Sequence, residues 1–265
     1  KNLKLKGGVL MSYVFDEDLE FLGECSDEQL AKLAEILIKD DDGKVRRTEE
    51  ITRSNEYKRY GKHYSKYWEI LVGDFQKFGG NTGANFIRLG KGVQYNEILT
   101  DILGSKFSKL SIFEKEKELL KRGLSIILDE LEVEKRIVIA EHIGFQGVNY
   151  NTDTIMNFIN KENYKTDFNS KIINIILEQV TTKRIDYVLL KNISSINSAS
   201  AKIGAGVGLA IRAGFRAVPL LGTITTLNIA LTEAKRVTIP ASIVIACLRK
   251  ILNYEKLNKK ELSNG

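Results

Sequence analysis

Two prolines in 265 residues, Pro219 and Pro240, set the first constraint on this chain. Proline removes a backbone donor and fixes φ, so a sequence almost without it lets helices run long. Apolar residues recur every three to four positions, and no run alternates with the two-residue period of a strand. The chain therefore reads as all-α. The expected architecture is a multi-helix bundle with a C-terminal glycine/alanine-rich helical hairpin and a final helix. Hydrophobic residues make up 43% of the chain, ample for a core and unlike a disordered segment.

Local signals divide the chain. Residues 1–10, KNLKLKGGVL, lack methionine, and codons for Lys6-Gly7-Gly8 can spell the purine-rich ribosome-binding run AAAGGAGGT. Met11 is therefore the expected start and residues 1–10 a non-native leader, too short and polar for a signal peptide. Residues 11–54 read as a small helical module: a short helix with Asp16 near its start, then a capping box from Ser26 to Gln29. That second helix carries Leu30, Leu33, Ala34 and Leu37 on one face and stops at DDDG, with Gly43 as the left-handed residue. A calcium loop there would need an oxygen ligand where Ile38 stands.

Residues 55–195 form the expected middle domain. Residues 55–78 predict one amphipathic helix, with Tyr57, Tyr60, Tyr64, Tyr67, Trp68, Leu71, Phe75 and Phe78 on its apolar side. Lys58, Arg59, Lys62, His63 and Lys66 fall opposite, a basic face able to meet nucleic-acid phosphates. Glycine-bearing turns at 79–83 and 90–92 follow, read as close-packing devices because no Walker pattern is present. Tyr95, Ile98, Leu99 and Ile102 mark a further helix face. A second capping box, Ser111 to Glu114, opens a helix reaching about Leu131, with Leu120, Leu124, Ile127 and Leu131 inward. Further helices are expected over 132–143 and after an N-cap at Asn169 or Ser170.

Residues 196–265 hold the hairpin and the last helix. In IGAGVGLAIRAGFRAVPLLGTITTLNIAL, residues 203–231, Gly204, Gly208, Ala210 and Gly214 give the small-residue spacing of closely approaching helices. Arg212 and Arg216 make a narrow basic stripe in the same sector as Lys202, and Val218-Pro219 marks the turn. A bilayer span wants about 20 apolar residues, and the charge-free run 217–232 is shorter. GAGVG follows no strand, which argues against a phosphate loop. Pro240 is placed in the first turn of the final helix, Arg249 and Lys250 in its last, and LNKKELSNG is read as a frayed tail.

The chemistry-bearing residues are sparse. Cys25 and Cys247 form no CxxC and read as buried or half-buried thiols. His63 and His142 have no ligand neighbours at metal spacing. No catalytic, cofactor or metal set can be assembled, so an enzyme is not expected. The net charge of +6 permits an anionic partner without specifying one.

Three blocks carry a family resemblance: DEDLEFLGECSDEQL, then FGGNTGAN with GKGVQYNEIL, then RVTIPASIVIACLRK. From Met11 to about Lys250 the chain resembles the bacterial YaaW family, with the Arg236–Ala241 run as its most specific motif. The family is grouped with ubiquinol–cytochrome c chaperones. That grouping implies a helical middle region and suggests a chaperone-like role, and it supplies no catalytic residues to carry over. The expected function is thus a non-enzymatic assembly factor engaging an apolar client or a membrane surface through residues 203–231. The alternatives are a membrane-active stress or defence effector inserting the hairpin, and a ribosome- or RNA-binding protein. The candidate interaction residues are Arg212, Arg216, Arg236, Lys58, Lys62 and Lys66. The expected location is the cytoplasm, with a site peripheral to the inner membrane as the alternative.

Overall fold

The computed structural model describes residues 13–40, 42–80, 92–130 and 233–263, together with the helical residues 170, 171, 173 and 174. Among them the fold is all-α: the helices are joined by turns, and the one β-bridge pairs Lys39 with Val45. The main helices are α1 (Asp27–Ile38), α2 (Asn55–Tyr60), α3 (Trp68–Gly80), α4 (Tyr95–Leu103), α5 (Ile112–Glu130) and α6 (Glu233–Ser263). The chain divides into two compact units, Lys1–Leu119 with Thr225–Gly265, and Leu120–Ile224. The first unit is built around α6, which packs against α1, α3 and α4.

Local chemistry explains the N-terminal elements. Both halves of the Ser26–Gln29 capping box form: Ser26 Oγ accepts the Gln29 amide at 3.2 Å, and Gln29 Oε1 accepts the Ser26 amide at 2.8 Å. Leu30, Leu33, Ala34 and Leu37 are fully buried, as the spacing predicts. Each such leucine contributes about 1.5–3 kcal/mol relative to an exposed one. After α1, Asp40 Oδ1 accepts the amides of Asp42 and Lys44, and Gly43 takes φ 76°, the left-handed turn expected of DDDG. Ahead of α1, residues 17–19 make a turn and Glu20–Glu24 a 3-10 helix, in place of the short α-helix expected from Asp16. Asp16 is taken up by a distant partner, the Tyr95 amide.

The single helix expected over 55–78 is broken. Ser54 caps α2 by accepting the Tyr57 amide at 3.0 Å. Gly61 then ends it with φ 58°, a left-handed value that costs glycine little. A 3-10 turn, Tyr64–Lys66, intervenes before α3. Tyr64, Tyr67, Leu71, Phe75 and Phe78 are buried as predicted, whereas Tyr57 and Tyr60 are only half-buried. At the end of α3, Gly79 lets α4 come close: a Cβ there would lie 2.5 Å from the Ile98 side chain. On α4, Tyr95, Ile98 and Leu99 are buried, with Leu103 joining them and Ile102 half-buried.

The Ser111–Glu114 box also forms, its two amide bonds 3.4 and 2.8 Å long. The inward face of α5 differs from the leucine face expected. Lys115, Glu116, Leu119 and Gly123 are buried, while Leu120 and Leu124 are half-buried. Polar partners for Lys115 and Glu116 set that face. The side chain of Ile127, Leu131 and the helix expected over 132–143 lie outside the described residues, and Ser170 is itself helical.

α6 departs from expectation at both ends. It begins at Glu233, so Pro240 stands inside it. Only one internal hydrogen bond is forfeited there, and burial of Val237, Ala241, Val244, Ile245 and Leu248 holds the helix together. It continues to Ser263, which makes residues 257–263 of the expected tail helical and places Arg249 and Lys250 in mid-helix. Lys235–Leu257 is long and apolar enough to cross a membrane by length and composition, and 59% of its most apolar stretch is buried within the protein. The hairpin segment 203–231 lies outside the described residues.

Candidate functional site

The densest polar cluster surrounds Arg249 on α6. Its Nε donates to both Glu116 carboxylate oxygens, at 3.0 and 3.1 Å. Nη2 donates to the Asp18 carbonyl. The guanidinium lies 4.2 Å from the Phe21 ring centroid and 5.6 Å from that of Phe113. Arginine suits this place because its planar fork meets a carboxylate, a carbonyl and an aromatic face together. The Glu116 side chain is only 2% exposed. Burial pushes its carboxyl above the ordinary range, and the neighbouring guanidinium pulls against that.

Tyr95 extends the cluster. Its amide donates to Asp16 Oδ2 at 2.6 Å, and its hydroxyl to the Ser242 carbonyl at 3.3 Å. Burial, reinforced by Glu116, holds that hydroxyl well above its usual range. The cluster thus ties the N-terminal segment, α4, α5 and α6 together. It offers no activated nucleophile. Nearby Cys247 is half-buried, and its thiol is pushed up to about 12 by burial, as is that of Cys25.

Two buried charges stand apart. Lys115 Nζ donates to Asn96 Oδ1, to Thr100 Oγ1 at 2.8 Å and to the Ser108 carbonyl at 3.3 Å, which uses all three donors. Asp74, 2% exposed, has an Oδ2 without a hydrogen-bond partner. Burial raises its carboxyl to about 7, opposed by Lys77 and aided by Glu50 and Glu49. Glu50 itself pairs with Lys77, and Glu49 accepts the Thr52 amide at 2.9 Å. Among the described residues no group of three or more His, Cys, Asp or Glu is arranged to hold a metal.

Relatives resemble the chain over nearly its whole length. A UPF0174 protein of Helicobacter pylori strain J99 is 29% identical over 268 residues, 95% of this chain and 98% of that protein. UPF0174 protein YaaW of Escherichia coli K12 is 27% identical over 252 residues, 92% of this chain and 98% of the relative. The chain is similar to YaaW proteins. Residues 13–47 also match a family model described as a domain of unknown function, DUF3944. No solved structure matches the chain significantly.

That similarity agrees with the resemblance carried by the three sequence blocks. Lys58, Lys62 and Lys66 are all exposed, but they fall on α2, the turn after it and the 3-10 helix. The break at Gly61 removes the continuous register that would have aligned them as one helical face. Arg236 is exposed on α6, and Arg212 and Arg216 lie outside the described residues. Sequence reasoning missed Asp16, Gln76, Tyr95, Glu116 and Arg249 as partners. One signal was available: Arg249 directly follows Leu248 on an apolar stripe, a costly place for a charge without a partner.

Proposed function

We propose that this chain is a non-enzymatic, chaperone-like assembly factor that holds an apolar protein client through residues 203–231. The observation that carries this reading is the anchoring of α6. The helix starts at Glu233, directly after the small-residue segment, and its stretch 237–248 is largely buried in the first unit. A segment dominated by Gly, Ala, Ile, Leu and Thr is therefore covalently continuous with a rigid core helix. That arrangement suits display to a partner more than chemistry. The polar cluster supports the same reading, since its charged groups are spent on one another.

A photo-crosslinking residue placed at Ile224 tests it in cells. Crosslinks to a discrete protein, weakened in the Arg212→Glu/Arg216→Glu chain, are expected. Crosslinks confined to the chain itself reject the reading. Flotation of the purified chain with anionic liposomes would instead assign the segment to lipid.

A further inference from the structure

Residues 13–16 belong to no helix, yet they are held as a bound peptide is held. The fully buried Gln76 carboxamide accepts the Val14 amide at 2.9 Å and donates to the Val14 carbonyl at 2.8 Å. One side chain thus satisfies both backbone groups of one residue. Gln94 Nε2 donates to the Phe15 carbonyl at 2.9 Å. Asp16 takes the Tyr95 amide, the first of α4, where Gln94 supplies no side-chain cap. Asp16 is 1% exposed, while Val14 and Phe15 are 36% and 65% exposed. Anchoring therefore runs through backbone groups and one carboxylate, with the side chains at 14 and 15 left outward. Tyr13 adds an edge-on contact to Trp68, ring centroids 5.9 Å apart.

We propose that the α3–α4 face formed by Gln76, Gln94 and the Tyr95 amide is a peptide receptor. Residues 13–16 are its intrachain ligand, and a non-helical partner segment with aspartate two positions after the clamped residue replaces them. The receptor tolerates varied side chains at the clamped position and demands the carboxylate, because only the carboxylate caps α4. The tethered strap competes at an effective concentration on the order of millimolar, so a free segment enters only when the strap is loosened. This inference stands apart from the role of residues 203–231.

The test uses the full chain carrying Val14→Pro and Asp16→Ala, with folding checked by circular dichroism, and a labelled peptide SYVFDEDLE copied from residues 12–20. Fluorescence anisotropy is expected to show binding to the loosened chain and at least about tenfold weaker binding to the unaltered chain. Alanine at the peptide position equivalent to Asp16 should cost about another tenfold. A folded, loosened chain that ignores the peptide up to about 1 mM, or binds the alanine peptide equally, overturns the proposal. Should that chain fail to fold, hydrogen exchange on the unaltered protein decides. The Val14 and Tyr95 amides must then open locally, with far less protection than the Leu33 amide, and equal protection overturns the proposal.

Discussion

At the scale of single residues, the buried charges give the sharpest expectations. Asp74 keeps its proton in the folded chain to about pH 7, against an ordinary value of 3.8. The folded state therefore binds more protons than the unfolded one between those values, and stability falls as pH rises through that window. Asp74→Asn removes the dependence. Thermal melts should show equal Tm values for the two chains near pH 4 and a Tm about 2–6 °C higher for the asparagine chain at pH 8. Arg249 and Glu116 behave differently, because each is the other's compensation. Arg249→Met strands the Glu116 carboxylate and should cost about 3–5 kcal/mol in urea unfolding. Adding Glu116→Leu should recover much of that loss, and simple additivity of the two single changes would contradict the coupling.

Elements are where sequence and structure can be compared most closely. Removing the α1 cap by Ser26→Ala should cost about 1 kcal/mol, read as a lower urea midpoint with an unchanged slope. The two capping boxes, the DDDG turn and the leucine face of α1 were legible because in each the residues that specify it stand no more than four positions from the next. The break at Gly61 was not. Aromatic spacing continued at three to four residues across it, and periodicity alone does not register a glycine that turns left-handed. Nor was the face of α5 legible, since Lys115 and Glu116 are buried only because Asn96, Thr100 and Arg249 come to them from other helices. The Asp16 contact escaped for the same reason: its acceptor role is fulfilled at Tyr95, 79 positions on. Local rules see caps and turns; partners brought in by tertiary packing lie beyond them.

Across the whole molecule, the first unit depends on both ends of the chain. Leu22, Leu30 and Leu33 are fully buried in a unit whose central helix is α6. A chain ending at Thr232 should therefore lose cooperative thermal unfolding, monitored by circular dichroism, instead of merely melting a few degrees lower. The contacts that join those ends span nearly all of the sequence: Arg249 reaches Asp18 across 231 positions, and Lys256 reaches Glu24 across 232. That separation sets a timetable for synthesis. At ribosomal speeds of about 5–20 residues per second, the N-terminal half waits on the order of 10–50 s before α6 emerges to cover it. Through that interval its leucines have no native partner to close upon. The yield of folded protein in a cell-free system should accordingly depend on how fast the last stretch is translated, and on what holds the first half while it waits.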